Sequence, residues 1–159
     1  MIILGIDPGT AALGYGLIQG DKDNLKLIKY GCVKTESKQA MPFRLHIIHK
    51  EIKKLMQKYK PDQLAVEEIF FAKNSKTALK VGQARGVILL LGAEHRIPVF
   101  DYTPLQVKQS VTAYGRADKQ QVQKMVQAIL KLKEIPEPDD AADALAVAIC
   151  HMFQVPGNR

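Results

Sequence analysis

The residues with the most chemical potential are acids set into apolar chain. Asp7 closes the run Ile2-Ile3-Leu4-Gly5-Ile6 and opens Asp7-Pro8-Gly9-Thr10. Glu67 and Glu68 follow Leu64-Ala65-Val66, and Asp139, Asp140 and Asp143 stand at the head of an alanine-rich stretch. Each acid has a structural account beside a chemical one. Asp7 suits an Asx-type turn before Gly9, yet sites in open α/β sheets collect at strand C-termini. Glu67 and Glu68 project to opposite faces of a strand. A carboxylate on a buried strand needs a lysine or a cation, because an unpaired buried charge is costly. Asp139 and Asp140 suit a helix N-terminus. Asp143, among Ala141, Ala142, Ala144, Leu145 and Ala146, is not explained that way. Asp140 and Asp143 lie at i and i+3, on one helix face, where like charges repel. A cation between them would remove the repulsion.

Carboxylate oxygens without a histidine or cysteine cluster suit Mg²⁺ or Mn²⁺ rather than zinc. Carboxylates that hold two such ions about 4 Å apart are a recurrent means of phosphodiester hydrolysis. The charge balance is compatible with a polyanionic substrate: 23 Lys and Arg against 16 Asp and Glu give +7 in 159 residues. Solubility alone accounts for the same excess. Basic residues concentrate in 44–60, which includes Arg44, and in 72–96. No Ser-His-Asp or Cys-His arrangement and no Gly-x-x-x-x-Gly-Lys phosphate loop is evident. His46, His49, His95 and His151 read as surface or internally satisfied residues. Two cysteines make neither a disulfide framework nor a zinc site, so a reducing cytoplasm is expected. No apolar run approaches the about 20 residues of a membrane span, and the opening residues do not read as a signal peptide.

These acids need elements to carry them. Three strands are expected at 2–7, 13–19 and 25–34, followed by a helix over 42–59 that Pro61 stops. A strand at 63–70, a long helix at 74–95 and a strand at 97–102 come next. Three helical stretches, at about 104–113, 118–132 and 138–153, finish the chain. Strands followed by alternating strands and helices predict a single α/β domain over 1–159.

An ordered set of motifs resembles the RuvC family of crossover-junction endodeoxyribonucleases, within the ribonuclease-H-like superfamily. It includes Ile3-Leu4-Gly5-Ile6-Asp7-Pro8-Gly9-Thr10, Gly14-Tyr15-Gly16, Ala65-Val66-Glu67 and Phe70-Phe71-Ala72-Lys73-Asn74. It continues with Ala78 to Gly86, Gln106-Val107-Lys108-Gln109, Gly115-Arg116-Ala117-Asp118-Lys119 and Asp140-Ala141-Ala142-Asp143-Ala144-Leu145-Ala146. The resemblance implies a five-stranded mixed sheet, three antiparallel strands then two parallel, with helices on both faces. It implies a Mg²⁺-dependent homodimer, with two ions per subunit, that resolves four-way DNA junctions in recombination and repair. The expected products of its symmetric nicks are 5′-phosphate and 3′-hydroxyl ends.

By motif, the resemblance makes Asp7, Glu67, Asp140 and Asp143 the metal-binding carboxylates and places Lys108 and Lys119 beside the scissile phosphate. It implies that Phe70 stacks on an unpaired base. Lys73, Asn74, Lys76, Lys80, Arg85 and Arg116 are the further DNA-contact candidates, and RuvA–RuvB is the implied partner machinery. The extra acids Glu68 and Asp139 depart from many relatives. Two other readings remain open here: a non-catalytic junction-binding protein, and an actin-like ATPase, whose phosphate loop also begins Asp-x-Gly-Thr.

Overall fold

A computed structural model describes residues 1–69 and 75–155. Strands β1 (Ile2–Asp7), β2 (Ala12–Gly20) and β3 (Leu25–Lys34) form an antiparallel meander. Helix α1 (Met41–Tyr59) leads to β4 (Gln63–Glu67), which pairs parallel to β1. Helix α2 (Ser75–Glu94) leads to β5 (Val99–Tyr102), parallel to β4. Helices α3 (Pro104–Thr112), α4 (Lys119–Ile129) and α5 (Asp139–Gln154) complete the described chain. The sheet order is β3-β2-β1-β4-β5. This is the expected mixed sheet. Two strands are shorter than expected: β4 stops at Glu67, whose partner is the last residue of β5, Tyr102, and β5 begins only at Val99. Among the described residues, no helix is long and apolar enough to cross a membrane.

Alternation along the strands divides the core in two. Leu4, Ile6, Leu64 and Val66 face α1 and α2, where Ile48, Ile52, Ile88 and Leu91 are fully buried. Ile3 and Ala65 face the other way, toward α3, α4 and α5. Asp7 and Glu67 keep step with Ile3 and Ala65, so both belong to the α5 face.

Helix α5 runs almost wholly inside the molecule. From Ala144 to His151 every residue is fully buried. It also lies against the sheet more closely than ordinary side chains would allow. A Cβ at Gly14 would fall 1.9 Å from the carbonyl oxygen of Asp140, and one at Gly5 would fall 2.2 Å from that of Ala144. The missing side chains are therefore what let the N-terminal half of α5 rest on β1 and β2.

The shorter helices are fixed at their starts. In α3, Thr103 Oγ1 accepts from the Gln106 N–H at 3.2 Å while Gln106 Oε1 accepts from the Thr103 N–H at 2.8 Å. In α4, Asp118 and Gln121 make the same reciprocal pair, both bonds at 2.8 Å. Such capping boxes satisfy backbone donors that a helix leaves unpaired. They set where Lys108 and Lys119 emerge.

Arg44, one of the basic residues concentrated in 44–60, adds no surface charge there, because this guanidinium is buried. Its Nε donates to Thr35 Oγ1 at 2.8 Å, and the Thr35 hydroxyl donates to the Thr10 carbonyl. It thus braces the turn after Asp7. His151 is buried too, with ring nitrogens 2.7 Å from the Tyr102 hydroxyl and 2.6 Å from Gln63 Oε1. Burial holds its pKa down to about 4, so it serves as a neutral core residue.

Gly14→Ala tests the close approach of α5. Overpacking at such a site costs about 1–3 kcal/mol, to be read from urea unfolding curves. Wild-type stability in this variant would mean that α5 does not press on β2.

Candidate active site

Asp7 and Glu67 end adjacent parallel strands, and α5 carries Asp140 and Asp143 over them. Ile6 pairs with Val66, which puts the two acids side by side one residue further on. Asp7 lies across from Gly14, and the Gly14 backbone meets Asp140. Three carboxylates, Asp7, Asp140 and Asp143, each place an oxygen within 4.8 Å of the others. Glu67 sits beside Asp7, whose carboxyl its charge pushes upward. Glu68, by contrast, is exposed. The choice that strand alternation left open thus falls on Glu67, and for Asp140 over the exposed Asp139.

The electrostatics of this cluster are those of crowded like charges. Burial first, and then the charges of Glu67, Asp143 and Asp140, push the Asp7 carboxyl far above its ordinary value of 3.8. Glu67 moves upward as well, by burial and then by Asp143. Asp143 is raised by burial, against the pull of Lys119. Lys119 Nζ lies 3.3 Å from Asp143 Oδ2 and 3.2 Å from Asp139 Oδ2. The Lys119 ammonium therefore supplies positive charge at the edge of this acid cluster. The donor set consists of carboxylate oxygens on three elements, which suits a hard divalent cation. Asp7, Glu67, Asp140 and Asp143 are the residues that would hold it.

A cleft of about 220 Å³ opens beside the acids. Glu67, Asp143, Lys108 and Lys119 line it together with Pro104, Val107, Val122 and Ala146. It joins carboxylates to two lysines across an apolar floor, an arrangement suited to an anionic ester. Of the other DNA-contact candidates, Lys76, Lys80 and Arg116 are exposed. Arg85 is engaged within the fold, its Nη2 2.6 Å from Asp101 Oδ1. Phe70, Lys73 and Asn74 lie outside the described residues. Sequence reasoning gave no role to Asp139 beyond helix capping. Its tie to Lys119 joins residues 20 positions apart and had no local signal.

The sheet order and the acids at its switch between antiparallel and parallel strands define a ribonuclease-H-like nuclease domain. The family model described as crossover junction endodeoxyribonuclease RuvC matches residues 3–151. The chain belongs to that family. It is 57% identical over 151 residues to the crossover junction endodeoxyribonuclease RuvC of Halothermothrix orenii, covering 95% of this chain and 92% of the relative. The Syntrophomonas wolfei relative of the same name is 58% identical over 152 residues, covering 96% and 88%. Among solved structures, Thermus thermophilus RuvC in complex with a Holliday junction substrate matches with a TM-score of 0.92 at 39% identity, covering 96% of this chain and 93% of that one. The yeast mitochondrial Holliday junction resolvase shares the fold, with a TM-score of 0.66 at 15% identity over 95% of this chain and 78% of that one. The acid cluster fits the divalent-metal dependence that this membership implies, and membership sets aside the ATPase reading.

The raised carboxyls make metal-free stability pH-dependent. Above about pH 4 the folded site retains protons that the unfolded chain has released, so stability falls as pH rises into the neutral range. Asp7→Asn removes one acid from the cluster. It should raise the metal-free Tm at pH 8 by on the order of a few degrees and leave it nearly unchanged at pH 4. Mg²⁺ should raise the Tm of the wild type at pH 8 and have little effect on the variant. A Tm independent of both pH and Mg²⁺ in the wild type would contradict this electrostatic account.

Proposed function

We propose that this chain resolves four-way DNA junctions by paired nicks on opposing strands, as a single nuclease domain acting in a homodimer. The observation that carries the reading is the meeting of Asp7, Asp140 and Asp143 within 4.8 Å beside Lys108 and Lys119. When bound, Mg²⁺, as two ions, would supply Lewis acidity for the attacking water and for the departing 3′ oxygen. Asp7, Glu67, Asp140 and Asp143 would hold and space those ions. Water attacks the phosphorus and the P–O3′ bond breaks, leaving 5′-phosphate and 3′-hydroxyl ends. Lys108 and Lys119 offset charge that builds on the phosphoryl oxygens. The apolar floor of Val107, Val122 and Ala146 limits the water around them.

Contacts further out follow the same reading. Lys76, Lys80 and Arg116 belong to the DNA-facing set, with Phe70, Lys73 and Asn74 beside the site in sequence, and Arg85 would join it only by giving up its pairing with Asp101. Phosphate contacts by such residues place the duplex and carry no sequence information. Cooperation with RuvA–RuvB in recombination and repair rests on family membership. A cytoplasmic setting agrees with free Cys32 and Cys150.

Two nicks require two sites, and helix α2 offers a surface for a second copy. Leu79 and Leu90 are 67% and 55% exposed. Gly82 and Gly86 lie between them on the same helical stripe, and a Cβ at Gly86 would meet nothing within 4 Å among the described residues. Exposed apolar residues around bare backbone suit close helix–helix packing.

Cleavage of a synthetic four-way junction tests the chemistry. Asp7→Asn and Asp143→Asn keep side-chain shape but lose ligand charge, and each should lower the rate by about 10²–10³ or more. Tight binding without nicks by the wild type would favour the non-catalytic reading. Leu90→Glu tests the dimer: sedimentation should show monomer where the wild type is dimeric. A wild type that stays monomeric at micromolar concentration would remove the dimer.

A further inference from the structure

Lys119 is held by two acids, of which only Asp143 belongs to the converging carboxylates. Its Nζ is 3.3 Å from Asp143 Oδ2 and 3.2 Å from Asp139 Oδ2. The other oxygen of Asp139, Oδ1, accepts from Gln123 Nε2 at 3.0 Å. Lys119 and Gln123 lie at i and i+4, on one face of α4. Two residues of one helix therefore grip the first residue of another. The capping box of Asp118 and Gln121 fixes the backbone from which Lys119 extends.

A cation on Asp143 changes this balance. Asp143, the carboxylate that Lys119 now touches, would hold the cation instead, and the ammonium would be repelled from it. A lysine chain with Asp143 as its sole anchor would then gain rotamer freedom by swinging into solvent. Asp139 stands outside the cluster and is exposed. Each of its carboxylate oxygens is engaged by α4, Oδ2 by the Lys119 ammonium and Oδ1 by the Gln123 amide. An exposed pair of this kind contributes little to folding stability. What it can do is limit where the ammonium goes.

We propose that Asp139 is a positioning residue: it keeps Lys119 at the rim of the cleft once divalent cations occupy Asp143, so that the ammonium faces the scissile phosphate. The proposal rests on the nuclease reading above. In that reading Lys119 exchanges one of its two carboxylate partners for a phosphate oxygen and keeps the other. The acid next to Asp140 thereby acquires a task without becoming a metal ligand.

The test is single-turnover cleavage of a synthetic junction, with protein and Mg²⁺ both saturating, in a four-member cycle. The members are wild type, Asp139→Ala, Lys119→Gln and the double variant, with Asp139→Glu as the conservative replacement. Asp139→Ala should slow cleavage roughly tenfold, with junction affinity and Tm unchanged, and Asp139→Glu should recover much of the rate. In the Lys119→Gln background, the loss of Asp139 should add nothing. Equal loss with and without Lys119 would overturn the proposal, because Asp139 would then act on the metals or the fold directly. An undiminished rate in Asp139→Ala would also overturn it, as would a loss that tracks a lower Tm. Failure of the wild type to cut would instead refute the nuclease reading itself.

Discussion

Mutual repulsion among half-buried carboxylates is the constraint that governs this molecule. Four acids from three elements meet, burial disfavours the charge of Asp7, Glu67 and Asp143, and like-charge repulsion opposes the meeting. The hydrophobic core holds them together. Helix α5 is buried along nearly its full length, and its alanines and the glycines of β1 and β2 let backbone approach backbone. The fold thus sustains an arrangement that its charges oppose, and a cation turns that opposition into attraction. A local cost at a functional site offset by packing elsewhere is a general pattern.

Topology explains why the acids come from these positions. The strand order β3-β2-β1-β4-β5 makes β1 the junction between the antiparallel meander and the parallel pair. Asp7 and Glu67 leave the sheet together at that junction, on the face that α5 covers. The cleft then opens between α3, α4 and α5, so both lysines reach the acids from capped helices and not from long loops. Rigid elements hold a reactive constellation more tightly than loops do.

Much of this was legible in the sequence, and the reasons differ by residue. Asp7 at a strand end and the i, i+3 pair Asp140 and Asp143 carried local signals of periodicity and charge. Glu67 and Glu68 were known to face opposite ways, but which one faces inward depends on the pairing of β4 with β1 and on where α5 lies. Arg44 looked like surface charge because nothing nearby in sequence reveals Thr35 as its partner. Arg85 and Asp101 find each other across 16 positions, and Lys119 and Asp139 across 20. Such contacts are products of tertiary structure. Phe70, Lys73 and Asn74, central to the DNA-contact expectations, lie outside the described residues.

The bare stripe on α2 bears on geometry at a larger scale. Interaxial distance between packed helices depends on the side chains at the contact. Where glycine backbone forms the crossing, little cushioning remains, and two partnered copies would have scarcely any freedom to slide or tilt. The separation of their paired incisions would then be a fixed gauge, cut into the helix as absent atoms.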